Sequence, residues 1–171
     1  KVLFSGFVFF GVIGVHRRLI VGVLFEGVDI ERKQIGLAIV GSGRIGTLRG
    51  KLASAHPAVN FIAVSDVNRD AAQKLAQAVG ANLASASNDE IIARPEVNAV
   101  IVSTSEGEHL APVLRAIELG KPVLVEKPLA LNLADADRII AAAAKANVSL
   151  RVGYSRRFKD RYLIAKEQII Q

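Results

Sequence analysis

The 171-residue sequence contains no cysteine, no methionine and no tryptophan. Without cysteine, disulfide bonds and thiolate metal sites are excluded, and the residue pattern predicts no metal site of another kind. Aromatic residues make up only 5% of the chain, which favours helices packed on a parallel sheet over a surface that stacks nucleic-acid bases. Because methionine is absent and the first residue is lysine, we expect this sequence to be a fragment of a longer chain.

Charge of one sign is in excess only at the two ends of the chain. Residues 1–34 carry five basic and three acidic side chains, and residues 151–171 carry six and two. The stretch between them, residues 35–150, carries eleven of each and is neutral. A nucleic-acid-binding domain needs a dense basic face, so we predict no nucleic-acid partner.

Long hydrophobic runs are also lacking. Two apolar runs, residues 2–15 and 19–25, are interrupted by His16-Arg17-Arg18, and neither reaches the roughly 18–20 residues that span a bilayer. We therefore expect no membrane partner and a cytoplasmic protein. Arg17-Arg18 and the apolar run after it loosely resemble a twin-arginine export leader, although the residues before them are apolar. Residues 1–34 are interpreted as an extension outside the fold, with an export signal or a structural extension as alternatives.

From residue 35 onward, short apolar runs alternate with helical patterns. The predicted strands are residues 35–40, 59–65, 83–85, 98–103, 122–125 and 148–152. The predicted helices are residues 44–55, 68–79, a short one between Ser87 and Pro95, 106–119 and 132–146. Strands that are apolar on both faces predict an α/β protein with a doubly wound parallel sheet, the Rossmann dinucleotide-binding fold. We assign residues 35–152 to this domain and residues 153–171 to a connection that leads out of it.

A glycine-rich turn follows the first predicted strand and opens the first predicted helix. In Gly41-x-Gly43-x-x-Gly46, the first glycine permits the tight turn, the second lets a diphosphate approach, and the third lets the helix pack closely. The free N–H groups near Arg44 and Ile45 would face the anion. In this position between a strand and a helix, the turn predicts a dinucleotide site.

Asp66 ends the second predicted strand, twenty residues beyond Gly46. A carboxylate there accepts hydrogen bonds from ribose hydroxyls and repels a 2′-phosphate, which favours NAD over NADP, although Arg69 lies nearby. An S-adenosylmethionine-dependent methyltransferase also carries an acid after its second strand. Such an enzyme usually has a further acid two positions before the first glycine, where this chain has Ile39.

A second polar cluster follows later strands. Ser103 and Thr104 end the fourth strand, and Glu126 and Lys127 follow the fifth. Because sites in this fold gather at the carboxyl ends of strands, these residues are expected to meet where nicotinamide would lie. A lysine there can hold a substrate oxygen or relay a proton, and Glu126 can accept ribose hydroxyls. His109 is expected in the first turn of the helix after the fourth strand, where it can lean over the same edge. The alternatives are a surface Glu-Lys pair and, for His109, an exposed histidine at a helix start.

Three motifs resemble the Gfo/Idh/MocA family of oxidoreductases, which includes glucose–fructose oxidoreductase and inositol dehydrogenase. They are Ser-Thr-Ser-Glu-Gly-Glu-His at 103–109, Ala-Ile-Glu-Leu-Gly-Lys-Pro-Val-Leu-Val-Glu-Lys-Pro-Leu-Ala at 116–130, and Gly-Tyr-Ser-Arg-Arg-Phe at 153–158. The chain departs from the common family pattern at Ser105 and Glu106. These departures bear on the shape of the loop near the nicotinamide.

The resemblance implies a catalytic role for Lys127 and contact between Glu126 and the cofactor ribose. It places His109 near the nicotinamide and Arg156 or Arg157 along the cofactor and substrate side. It also implies a second α/β domain for substrate, absent from this chain, and a homo-oligomeric full-length protein. The fragment is then expected to bind NAD without turnover.

The sequence thus predicts the cofactor-binding half of an oxidoreductase that moves a hydride between NAD and a secondary hydroxyl of a sugar, cyclitol or related polyol. Two alternatives remain: a non-catalytic regulator that binds NAD(H), and another class of reductase, such as a biliverdin-reductase-like enzyme. The sequence does not identify the substrate.

Overall fold

The computed structural model describes residues 34–170. The apolar N-terminal extension and the Arg17-Arg18 leader predicted from the sequence therefore lie outside the described residues. Within them, the strands are Ile35–Val40 (β1), Val59–Ser65 (β2), Leu83–Ser85 (β3), Ala99–Val102 (β4), Val123–Val125 (β5) and Leu150–Val152 (β6). The helices are Arg44–Ser54 (α1), Arg69–Val79 (α2), Asn88–Ala93 (α3), Leu110–Glu118 (α4), Leu133–Ala146 (α5) and Asp160–Ile170 (α6).

The six strands form one parallel sheet in the order β3-β2-β1-β4-β5-β6. The order reverses beside β1, which is the topological switch point of a doubly wound sheet. The predicted fold class is therefore confirmed. Each strand boundary lies within two residues of its prediction, because buried apolar runs bounded by turn residues are a strong local signal.

Successive residues of β1 point alternately into two separate cores, one on each face of the sheet, as the two-residue period of a strand requires. Ala38 and Val40 pack in a core that includes residues of α3, α4 and α5. Leu37 and Ile39 pack in a second core with residues of β2 and α2. Buried on both faces, β1 is the rigid centre from which the glycine turn projects.

Local capping explains where several helices begin and end. The Asn68 side chain accepts hydrogen bonds from the N–H groups of Asp70 and Ala71 at the start of α2, and Gly80 adopts a left-handed conformation at its end. Asn132 accepts from the N–H of Asp135 at the start of α5. Asn147 ends that helix with a φ of 53°, a conformation that asparagine tolerates better than most residues.

The predicted helix over residues 106–119 is wrong at its beginning. The chain forms a short 3-10 turn over Glu106–Glu108, and α4 starts only at Leu110. His109 lies between the two and has helical dihedral angles, so the 3-10 turn and α4 follow one another with a single residue between them. The last segment, which the sequence indicated only as a connection, contains a 3-10 turn at Ser155–Phe158 and then α6.

Across residues 34–170, no helix combines the length and apolar character that a bilayer crossing requires. In the same part of the chain, no three histidine or acidic side chains come together in a way that could hold a metal ion.

Candidate functional site

The parallel register brings the predicted site residues to one edge of the sheet. Ser65, Val40, Val102, Val125 and Val152 pair in one row across β2, β1, β4, β5 and β6. The next residue in each segment therefore emerges at the same carboxyl edge. These residues are Asp66, Gly41, Ser103, Glu126 and Gly153.

The glycine turn at this edge is built by three different constraints. Gly41 has a φ of +94°, and a Cβ there would lie 2.7 Å from the Ser103 carbonyl group. A Cβ on Gly46 would overlap the carbonyl oxygen of Gly41. Around Gly43, in contrast, an added Cβ would meet no atom within 4 Å, and this residue is the N-cap of α1. The open space lies above a helix start, where unpaired N–H groups favour an anion.

Asp66 is tied to this turn by both carboxylate oxygens. Oδ2 accepts a hydrogen bond from the backbone N–H of Ser42 at 2.8 Å, and Oδ1 accepts one from the backbone N–H of Asn68 at 2.9 Å. The side chain is half-buried and lines the larger of two neighbouring clefts. Each oxygen retains acceptor capacity, because a carboxylate oxygen can accept about two hydrogen bonds.

Two clefts with common walls occupy the carboxyl edge. The larger, about 540 Å³, is lined by Gly41, Gly43, Asp66, Val67, Asn88, Ser103, Thr104, Ser105 and Glu108. The smaller, about 320 Å³, is lined by Arg44, Ile45, Ser103, Thr104, Ser105, Glu106, Glu126, Lys127, Gly153 and Ser155. Residues 103–105 line both, so the clefts adjoin along the end of β4.

Ser103 and Thr104 contribute differently to this shared wall. The buried Ser103 hydroxyl donates to backbone oxygens of the glycine turn, 3.2 Å from that of Val40 and 3.1 Å from that of Gly41. Thr104 Oγ1 is buried and has no hydrogen-bond partner among residues 34–170. An unpaired buried hydroxyl at a cleft wall is a polar group available to a ligand, since leaving it unpaired is unfavourable.

Glu126 and Lys127 stand side by side but in different surroundings. Lys127 is exposed and lines the smaller cleft. Glu126 lines the same cleft. Its Oε1 accepts two hydrogen bonds from Arg49, one from Nε at 2.9 Å and one from Nη2 at 2.5 Å. Arg49 lies on α1 and was not among the predicted site residues. Arg49 and Glu126 are 77 positions apart in the sequence, and no local sequence pattern indicates that they pair.

His109 is buried, with 1% of its surface exposed, so the interpretation as an exposed histidine at a helix start is wrong. Its Nδ1 lies 2.9 Å from the carbonyl oxygen of Pro128, directly after Lys127. Its Nε2 is buried without a hydrogen-bond partner in the described part of the chain. The ring thus contacts the loop that carries Lys127.

Arg156 and Arg157 lie outside both clefts. Arg156 Nη1 donates to the Tyr162 hydroxyl at 3.3 Å, and the Arg157 guanidinium stands 5.4 Å from the centre of the Tyr154 ring. Both arginines are exposed. Their predicted place on the cofactor and substrate side stays a prediction.

The residues at the carboxyl edge match the parts of a dinucleotide. The space above Gly43 is open where a diphosphate would approach, and Asp66 stands at the end of β2 where a ribose would lie. The unpaired Thr104 hydroxyl marks the boundary to the second cleft. A doubly wound sheet with this turn at its switch point defines a dinucleotide-binding protein.

Comparison with known proteins identifies the family. Residues 35–154 match the Gfo/Idh/MocA family model, described as an oxidoreductase family with an NAD-binding Rossmann fold. The chain belongs to this family, as its three motifs indicated, and the expected NAD cofactor agrees with that description.

Individual relatives support the same assignment. Myo-inositol 2-dehydrogenase from Thermotoga maritima is 35% identical over 133 residues, which cover 78% of this chain and 40% of that protein. Inositol 2-dehydrogenase from Gluconacetobacter diazotrophicus is 39% identical over 137 residues, which cover 77% and 40%. The crystal structure of myo-inositol dehydrogenase from Lactobacillus casei, in complex with NAD(H) and myo-inositol, aligns with a TM-score of 0.72 at 26% identity. That alignment covers 80% of this chain and 41% of the other. The chain therefore spans about 40% of the length of these relatives.

Proposed function

We propose that this chain is the cofactor-binding part of an NAD-dependent dehydrogenase that acts on a secondary hydroxyl of a cyclitol such as inositol. The observation that carries the proposal is the pair of adjoining clefts, with Asp66 in one and Lys127 in the other. The named activities of the inositol dehydrogenases to which the chain is similar favour a polyol as substrate.

The residues of the larger cleft suit the adenosine and diphosphate parts of the cofactor. The diphosphate would lie at the Gly43 turn, at the start of α1. Asp66 would accept hydrogen bonds from the ribose hydroxyls through the lone pairs that are not used by the N–H groups of Ser42 and Asn68. A 2′-phosphate next to this carboxylate would be repelled, so we propose NAD rather than NADP.

The residues of the smaller cleft suit the reacting end. Lys127 is exposed to the cleft space and carries a mobile ammonium group that can donate a hydrogen bond to a substrate oxygen and exchange a proton with it. The nicotinamide, when bound, supplies hydride acceptance and donation. Thr104 and Glu126 offer further polar atoms in this cleft, and Arg44 and Ile45, at the start of α1, also line it.

The test is replacement of Lys127 in the natural full-length protein that contains this chain. We expect Lys127→Met to lower kcat for inositol oxidation, followed as NADH absorbance, by about a hundredfold or more, because a positioned acid–base group contributes that much. NADH affinity, measured by fluorescence titration, should change by less than about threefold, because the loss is confined to the chemical step. Lys145→Met, an exposed lysine in the last turn of α5, is the control and should behave as wild type.

The same experiment separates the enzyme from a regulatory protein that only binds NAD(H). A regulator would bind NADH but reduce no NAD with any polyol, and Lys127→Met would leave its binding unchanged. A wild-type protein with that behaviour would overturn the catalytic proposal.

Further parts of the proposal concern the whole protein. We infer a domain over residues 35–152, a connection over residues 153–171, a homo-oligomer and a cytoplasmic location. Gel filtration of the full-length protein tests the oligomer, and cell fractionation tests the location.

A further inference from the structure

Arg49 forms an ion pair that joins the first helix to the end of the fifth strand. It projects from α1, and both Nε and Nη2 donate to Oε1 of Glu126, at 2.9 and 2.5 Å. The two side chains are 23% and 14% exposed, whereas each other ion pair within residues 34–170 has at least one partner that is 35% exposed or more. Partial burial shields the pair from water and salt, which makes its geometry more persistent than that of a surface pair.

The Glu126 carboxylate also packs against the chain that follows β6. A Cβ on Gly153 would lie 2.8 Å from Oε2 of Glu126, so the carboxylate packs directly against this glycine. The backbone around both residues is also held, because Glu126 N–H donates to Val102 O at 2.9 Å and Gly153 N–H to Val125 O at 2.8 Å. Glu126 is thus fixed between α1 and the segment after β6.

The other end of the same short segment is held by His109. Its buried ring places Nδ1 2.9 Å from the Pro128 carbonyl oxygen, two residues after Glu126. Lys127 lies between these two attachments, and its exposed side chain lines the smaller cleft. The backbone that carries Lys127 is therefore restrained on one side by Arg49 of α1 and on the other by His109, which directly precedes α4.

We propose that Arg49 is a positioning residue that fixes the segment 126–128 and thereby the direction in which Lys127 enters the smaller cleft. Both guanidinium N–H groups donate to Oε1, so Oε2, although packed against Gly153, keeps its acceptor sites for a bound ribose. Lysine should not replace Arg49, because its ammonium sits on a flexible stem and lacks the rigid planar edge from which Nε and Nη2 both donate to Oε1. This inference rests on the proposed function for its catalytic consequence, but the restraint on residues 126–128 is independent of it.

The first measurement needs no activity. Hydrogen–deuterium exchange of peptides covering residues 123–130 is compared between the full-length wild type and its Arg49→Lys variant. We expect faster exchange in this segment and unchanged exchange around residues 94–99. The matched control is Arg94→Lys, which alters a similar two-bond pair, Arg94 with Glu96, before the amino end of β4 at the opposite edge of the sheet. Unchanged exchange over residues 123–130 in Arg49→Lys would overturn the proposal.

The second measurement is the split between kcat and KM. Arg49→Lys should lower kcat for NAD-dependent polyol oxidation about ten- to a hundredfold, because small misplacement of a reacting group costs this much. The KM for the polyol and the melting temperature should stay close to those of wild type and Arg94→Lys. Lower thermal stability with an unchanged kcat would show a purely structural pair and overturn the positioning role. If the wild type oxidises no polyol, the proposed function fails, and the exchange experiment still decides the restraint.

Discussion

At the scale of single residues, the glycine turn combines opposite demands within six positions. Gly46 has no room for a side chain, because a Cβ would overlap the Gly41 carbonyl oxygen. Gly43 has ample room, because a Cβ would meet no protein atom within 4 Å. One glycine is therefore required by the packing of the protein, and the space above the other is available to a ligand.

Replacing each of these glycines by alanine should separate stability from binding. Gly43→Ala should leave the melting temperature nearly unchanged and weaken NADH binding at least about tenfold, since its methyl group enters the space proposed for the diphosphate. Gly46→Ala should lower the melting temperature by about 3–10 °C, as overpacking costs about 1–3 kcal/mol. Differential scanning fluorimetry and NADH fluorescence titration give the two readouts. Full NADH affinity in Gly43→Ala would contradict the proposed diphosphate position.

At the scale of secondary-structure elements, a lysine outside the site joins two segments. Lys121 lies between α4 and β5, and its Nζ donates to the carbonyl oxygens of Ile92 and Arg94 at 2.5 and 2.8 Å. These oxygens belong to the end of α3, where a helix leaves its last carbonyls without intrahelical partners. Burial lowers the pKa of Lys121, so desolvation of its charge offsets part of what the hydrogen bonds contribute.

Lys121→Met should therefore lower the free energy of unfolding by about 1.5–3 kcal/mol, the net contribution of a hydrogen bond made by a charged group. Urea denaturation followed by circular dichroism measures the change. Lys74→Met, at an exposed position of α2, is the control and should remain within about 0.5 kcal/mol of wild type. Equal stability of the two variants would refute a capping role for Lys121.

At the scale of the whole molecule, the site is assembled from segments far apart in the chain. Asp66 follows β2, Ser103 follows β4 and Glu126 follows β5, and only the parallel register brings them to one edge. A ligand that spans the two adjoining clefts would contact several of these segments together. Binding would then be linked to the stability of the sheet as a whole.

NADH should accordingly stabilise the folded protein. At a concentration a hundredfold above its Kd, we expect the free energy of unfolding to rise by about 2.7 kcal/mol. For a domain of this size that corresponds to an increase of about 5–10 °C in Tm, measured by differential scanning calorimetry. The increase should shrink in Gly43→Ala at the same NADH concentration. A wild-type Tm independent of NADH would rule out dinucleotide binding in these clefts.

Much of the fold could be predicted from local sequence patterns. Most described strands are short, mainly apolar runs, and residues such as Asn68 and Gly80 mark helix ends by their own conformational preferences. The glycine turn and Asp66 could also be predicted from the sequence, because their spacing along the chain reflects the geometry of one strand–turn–helix–strand unit.

The family motifs indicated Lys127, but its surroundings could not be predicted from the sequence. The pairing of Arg49 with Glu126 spans 77 residues, and the contact between His109 and Pro128 spans 19. Contacts of this kind depend on which strands are neighbours and in which register, and they leave no periodic trace in the sequence. The start of α4 was misplaced for a different reason: a 3-10 turn directly precedes this helix, and the local sequence does not distinguish such a turn from the first turn of an α-helix.

The sequence by itself determined the alternation of strands and helices, the glycine turn and the family, because each depends on residues close together in the chain. Only the tertiary structure decided that His109 is buried, that Arg49 holds Glu126, and that the two clefts adjoin along the end of β4. The physical reason is that local conformation follows from local sterics and hydrogen bonding. Side-chain partners across a sheet are set by the packing of the whole domain.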